Sequence, residues 1–278
     1  MLTSPVDTVL AHGAAMPCIG FGTSSLGDCG ELVAAALKAG CRHIDTARKY
    51  GTERGVGEGL RASGVAREQV FITTKVSHEY LHAADFARSV EGSLKDLEVS
   101  RVDLLLVHWP NAAIPLDETM AALAKAKREG LTRHIGVANF PIALLDQAIR
   151  LCPEPLVTDQ VEFHPYLDQT KILAACRARG LILTAHCPLG RGRLMSDPML
   201  AEIARRKGKS VAQVALRWSI QHGNVVPLPR SSNSGRIGEN LKIFDFTLSE
   251  AEMEAIRALK RPRGRIADPV GRAPAWDI

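Results

Sequence analysis

The chain has 278 residues, 46% of them hydrophobic and 23% charged, with a net charge of +5. That length holds one or two domains, and the even composition excludes a disordered or fibrous chain. Basic residues are scattered rather than clustered, which gives no nucleic-acid surface and leaves at most an anionic small ligand.

No basic segment precedes the first apolar residues, and no window reaches the roughly 18 uncharged apolar residues of a membrane span. The six cysteines are widely spaced without a C-x-x-C pair. The expectation is a cytoplasmic monomer with reduced thiols, no membrane contact and no nucleic-acid partner. Eight β-branched or apolar runs are predicted as strands, at residues 18–21, 43–45, 70–75, 102–108, 134–138, 156–160, 181–185 and 224–228. Helical stretches alternate with them. Phe86, Val90, Leu94 and Leu97 form one apolar stripe. Asp197 before Pro198 reads as an N-cap and first helical position, with Gly208 near the far end, and Ser249 with Glu252 fits a capping box.

Several of the strands are nearly continuous in apolar character, as in a sheet covered on both faces. Their alternation with helices predicts an α/β fold, a parallel (β/α)8 TIM barrel forming a single domain over residues 1–278. A doubly wound sheet would carry G-x-G-x-x-G, and "GFGTSS" at 20, "GVGEGL" at 55 and "GRGRLM" at 190 all lack the third glycine. In a barrel the catalytic groups gather after the strand C-termini. Those positions hold Asp45 and Tyr50 after the second strand, Lys75 at the end of the third and His108 at the end of the fourth. A free phenol has a pKa of about 10, and an adjacent ammonium stabilises phenolate; a hundredfold gain in acidity takes about 2.7 kcal/mol. Lys75 is the available cation, with Asp45 keeping it charged and His108 as a further donor. The set suits protonation of a carbonyl oxygen while other donors stabilise the developing charge.

The stretches "GFGT" (20–23), "HIDTARKYGTE" (43–53), "ITTKV" (72–76), "LLLVHWP" (104–110), "GLTRHIGVANF" (130–140), "DQVEFHPYL" (159–167), "PLGRG" (188–192) and "PRSSNSGRIGEN" (229–240) resemble the successive signatures of the aldo-keto reductases. The likeness runs from a leading hairpin at 9–16, which would close the barrel bottom, to the "APAWD" tail. It is nearest to the bacterial 2,5-diketo-D-gluconate and methylglyoxal reductases of that family. The resemblance implies NADPH/NADP+ bound without a Rossmann domain, Tyr50 as general acid, Lys75 tuning it, Asp45 holding Lys75 and His108 orienting the carbonyl. It places Gly22, Thr23 and Asp45 along the cofactor groove, and Asn139 and Gln160 on the nicotinamide carboxamide. His186 stands at the ring platform. Pro188, Leu189 and Gly190 fall near the pyrophosphate, Arg230, Ser231, Ser232 and Arg236 around the 2′-phosphate, and Glu239 and Asn240 at the adenine. Two guanidiniums and two hydroxyls within seven residues suit a phosphate dianion.

Ala138 stands where the family usually has Ser, and His186 where it has an aromatic ring. Protonated His186 would oppose an oxidised nicotinamide, so the NADP+-dependent reverse reaction is expected to drop at low pH. Ser24 and Ser77 replace frequent aromatics, leaving Trp109 and the tail residue Trp276 at the substrate opening and predicting broad or polar carbonyl substrates, small carbonyls or keto-sugar acids. Two rivals remain: a zinc hydrolase built on His78, Glu79 and His82 of "HEYLH", which lacks an evident third ligand, and an NADPH-binding sensor barrel without turnover.

Overall fold

The computed structural model describes residues 2–277. The chain opens with an antiparallel hairpin, β1 (Thr8–Ala11) and β2 (Ala14–Pro17), in register from Thr8 opposite Pro17 to Ala11 opposite Ala14. Its turn residues His12 and Gly13 have φ of 44° and 86°. Two consecutive positive φ values match the twist of the flanking strands, and glycine adopts the second without steric cost.

Eight parallel strands follow: β3 (Phe21–Gly22), β4 (His43–Asp45), β5 (Phe71–Val76), β6 (Val102–Val107), β7 (Thr132–Ala138), β8 (Leu156–Glu162), β9 (Ile182–His186) and β10 (Val225–Pro227). Each pairs with its neighbours in chain order. The end strands β3 and β10 meet where Gly20 N–H donates to Pro227 O and Gly22 N–H to Pro229 O, both at 3.0 Å. The sheet thereby closes into a (β/α)8 barrel, with the hairpin appended at its N-terminal side. All eight strands expected from the sequence are present. They were legible because a strand buried on both faces is apolar throughout: every residue of β5, β6 and β8 is buried, ionisable ones included.

Outside the barrel run α1 (Gly30–Lys38), α2 (Glu53–Ser63), α3 (Ala83–Leu97), α4 (Leu116–Arg128), α5 (Ile142–Leu151), α6 (Thr170–Ala178), α7 (Pro198–Lys207), α8 (Val211–Gln221), α9 (Ser234–Asn240) and α10 (Glu250–Arg257). In α3 the residues Phe86, Val90 and Leu97 are buried and Leu94 packs against the core from a partly buried position. Asp197 caps α7 through the N–H groups of Met199 and Leu200, Gly208 ends it at φ 63°, and Ser249 and Glu252 form a capping box on α10. No helix among the described residues is long and apolar enough to cross a membrane. All six cysteines are free thiols.

The tail after α10 is tied back to the barrel. The buried carboxylate of Glu162 accepts from Ile266 N–H at 2.7 Å and Ala267 N–H at 2.6 Å, and Asp277 accepts from Ile142 N–H at 2.9 Å. His164 bonds the same Glu162 at 2.8 Å, a structural role for that histidine.

Candidate active site

Strand order fixes which side chains meet. Asp45 ends β4, Lys75 lies one residue before the end of β5, and His108 follows β6 with its N–H on Val76 O at 3.0 Å. Tyr50 is carried by a short 3-10 turn, Arg48–Tyr50, directly after β4. The turn is anchored because Arg48 pairs with Glu53 at 3.2 Å and with Asp96, while Gly51 at φ 67° lets the chain reverse into α2.

The Lys75 ammonium is wholly buried and donates to Asp45 Oδ1 at 2.5 Å and to Thr46 O at 2.8 Å. It lies 5.3 Å from the centre of the Tyr50 ring. The Tyr50 hydroxyl and His108 Nε2 are 3.3 Å apart, with the rings edge to face. All four expected catalytic side chains therefore share one cup. Burial pulls the Lys75 ammonium down and the Asp45 carboxylate opposes that pull.

For Tyr50 the balance differs from the sequence expectation. Burial pushes its phenol well above the ordinary value, and the negative charge of Asp45 pushes further. Lys75 does not reverse this, because its charge is already matched by Asp45 at contact distance. His108 is held well below the ordinary imidazole range by burial, then by the charge of Lys75, and so is neutral. The cup holds a protonated phenol beside a neutral imidazole.

Supporting bonds that spacing could not reveal tie further residues to this cup. Gln160 donates to Asp45 Oδ2 at 2.8 Å, so both oxygens of that carboxylate are engaged. Thr23 donates its N–H to Asp45 O at 3.0 Å, and its hydroxyl joins Thr52 and Thr46 in a chain with steps of 3.0 and 2.9 Å. Asn139 stands at φ 63°, a left-handed conformation costly for a side-chain-bearing residue. Its amide donates to His108 O at 2.9 Å, and its oxygen lies 3.0 Å from His186 Nε2. Ala138 before it is buried in β7. Burial lowers His186 to about 4. The loss of reverse activity expected from its protonation thus moves to the acid side of pH 5.

The loop after β9 is tightly turned: Gly190 N–H returns to Cys187 O at 2.8 Å beyond Pro188 and Leu189. Past β10, Arg230 is exposed and, among the described residues, reaches the carbonyls of Ser24 and Ser25, at 3.4 and 3.3 Å. Ser231 bonds the backbone of Asn233, Ser232 and Arg236 are exposed, and Glu239 and Asn240 close α9. At the mouth, Trp109 meets Trp276 edge to face at 6.0 Å. Arg265 stacks on the Trp276 ring at 3.6 Å, and the indole N–H donates to Asp268 at 2.9 Å. Ser24 is half-buried and Ser77 buried.

The "HEYLH" stretch does not form a metal helix. Residues His78–Tyr80 make a 3-10 turn, His82 faces Glu118 at 3.1 Å, and Glu79 is bound by Lys49 and Ser77. Among the described residues no three His, Cys, Asp or Glu side chains are gathered around a possible ion.

Comparison with known proteins agrees with this geometry. The sequence profile of the Aldo/keto reductase family matches residues 18–261. The chain belongs to that family. It is 42% identical over 265 residues to the glyoxal reductase of Bacillus subtilis (strain 168), covering 94% of this chain and 95% of the relative. The crystal structure of a candidate 2,5-diketo-D-gluconic acid reductase B superposes with a TM-score of 0.96 at 44% identity, over 98% of each chain. A Bombyx mori aldo-keto reductase in complex with NADP superposes at 0.88 with 30% identity, over 97% of this chain and 96% of that one. The protein is an oxidoreductase of the aldo-keto reductase type.

Proposed function

We propose that the protein reduces the carbonyl groups of small aldehydes and ketones to alcohols with NADPH, Tyr50 giving the proton. The observation that carries this reading is the meeting of a buried Lys75–Asp45 pair with the Tyr50–His108 pair at 3.3 Å, on the face of the barrel where strands end.

The residues fit the cofactor. Arg230 holds two long bonds that a phosphate would replace, and exposed Arg236 adds a second guanidinium beside Ser231 and Ser232. The preference for NADPH over NADH rests on that pair. Gln160 spends its N–H on Asp45 and keeps its carbonyl for a carboxamide N–H, while Asn139 offers the second lone pair of its oxygen. Pro188, Leu189 and Gly190 would border the pyrophosphate, and Glu239 and Asn240 the adenine. Neutral His186 gives the nicotinamide a flat, uncharged neighbour. When bound, the reduced nicotinamide supplies the hydride.

This chain's own groups do the rest. Tyr50 and His108 converge on the substrate oxygen, and Trp109 and Trp276 border the opening and exclude water. Tyr50 keeps its proton at every working pH because its pKa is raised. It can still release that proton, since the forming alkoxide is the conjugate base of an alcohol, a still weaker acid than the phenol. Lys75, fixed by Asp45, stabilises the phenolate that remains.

The test is loss of NADPH absorbance over a carbonyl panel that includes methylglyoxal and 4-nitrobenzaldehyde, with zinc analysis alongside. Oxidation of NADPH by these carbonyls without bound metal supports the reductase. NADPH binding with no oxidation anywhere in the panel favours a sensor, and strong preference for bulky apolar ketones contradicts the substrate reading.

A further inference from the structure

Lys75 points into the cup, and its neighbour Thr74 turns the other way, because successive side chains of a strand stand on opposite faces. The Thr74 hydroxyl donates to Glu53 Oε1 at 2.5 Å. Glu53 is the first residue of α2, and its carboxylate is only 2% exposed. Its second oxygen, Oε2, accepts from Arg48 at 3.2 Å, and Arg48 opens the 3-10 turn that ends in Tyr50. One buried carboxylate thus joins the strand of Lys75 to the turn of Tyr50. Arg48 is held from the far side by Asp96 of α3 and lies over Gly92, where an added Cβ would come within 3.0 Å of the guanidinium.

A buried carboxylate is costly unless it is bonded and faces positive charge. Glu53 is bonded at both oxygens, and its charge also reaches Lys75. Burial draws that ammonium down, Asp45 opposes the pull most strongly, and Glu53 adds to the opposition from behind the strand. The imidazoles coupled to Lys75, His43 on β4, His108 after β6 and His186 at the end of β9, are lowered first by burial and further by the Lys75 charge, and so are neutral. Tyr50 is protonated, which leaves Asp45 and Glu53 as the charges among these groups that favour the ammonium. We propose that Glu53 is a positioning residue of the reduction: it ties the Tyr50 turn to the Lys75 strand, and its charge helps hold Lys75 as ammonium while the phenolate forms. This role rests on the reading of Tyr50 as proton donor and extends it to a residue behind the barrel wall.

Glu53→Ala loses both the tie and the charge. It should lower kcat about 10- to 100-fold near neutral pH, while the Kd for NADPH stays within about threefold. Glu53→Gln keeps the shape and loses the charge. Its alkaline fall of kcat should come about one pH unit lower than in the wild type, because a nearby opposite charge favours the ammonium. Glu53→Asp should return most of that shift. NMR of the full chain carrying isotope-labelled lysine follows the Lys75 titration without turnover and should show the same downward displacement in Glu53→Gln. An unmoved Lys75 titration in that variant would overturn the proposal, as would wild-type kcat in Glu53→Ala or a loss of kcat matched by an equal loss of NADPH affinity. A wild type that oxidises no NADPH across the carbonyl panel would sink the reductase reading and this role with it. The Lys75 titration tells that failure apart, since the coupling of Glu53 to Lys75 is read in the chain at rest.

Discussion

Lys75 and Arg230 are both cations near strand ends, yet their surroundings differ in kind. Lys75 is wholly buried, with bonds of 2.5 and 2.8 Å to Asp45 and Thr46, and Asp45 is tied in turn to Gln160. Arg230 is exposed and, among the described residues, touches two carbonyls at 3.3 and 3.4 Å. The first cation sits in a network completed by folding, which holds reacting groups in place before any ligand arrives. The second is left weakly bonded, so its interaction energy is available to a ligand. On the proposed function, buried, satisfied charge would serve the chemical step and exposed, weakly satisfied charge would serve affinity.

Lys75→Met strikes the buried half and should have the largest effect. It leaves Asp45 uncompensated, at a cost of about 3–5 kcal/mol of stability in urea unfolding. It should also lower kcat about 10²- to 10³-fold by removing the charge beside the phenol. Pairing it with Asp45→Asn should restore most of the stability and none of the turnover; full activity in the pair would erase the contrast. Arg230→Ala with Arg236→Ala strikes the exposed half. The KM for NADPH should rise about 10- to 100-fold, as expected for charge-assisted bonds of about 1.5–3 kcal/mol, with kcat kept. The effect should shrink in salt and be absent with NADH.

Acid should expose the same difference. Burial lowers His43 and His222 to about 4, so between about pH 6.5 and 4 the unfolded chain binds more protons than the folded one. Stability should fall as pH falls through that window, by up to about 1.4 kcal/mol per pH unit for each such histidine, and level off above it. Thermal unfolding in a pH series measures this. The smallest expected effect belongs to Asp159. Burial raises its carboxyl well above the ordinary range, with Asp277 adding to the rise, and among the described residues its Oδ2 has no partner. A raised acid binds its proton more tightly when folded, so its contribution to stability declines as pH climbs above about 3.8. Asp159→Asn should therefore stabilise the protein by roughly 1–3 kcal/mol at pH 8, and by less at pH 5.

The barrel and the gathering of Asp45, Tyr50, Lys75 and His108 at one mouth were legible because each rests on a local rule. Strands covered on both faces read as apolar runs, and an ionisable residue closing such a run marks the mouth. The direction of the Tyr50 shift was not legible, since it depends on how Asp45 has already claimed the Lys75 charge. Nor was the Gln160–Asp45 bond, which joins residues 115 positions apart. The depth of the His186 shift was not legible either, because its burial is supplied by elements distant in the chain.

The most direct test of Tyr50 as proton donor is a single-turnover measurement with NADPH and 4-nitrobenzaldehyde in Tyr50→Phe, run beside cofactor binding by fluorescence. The rate of NADPH oxidation should drop by about 10²- to 10⁴-fold, the usual worth of a positioned acid, while the Kd for NADPH stays within about threefold. A variant that oxidises NADPH at the wild-type rate would contradict the assignment.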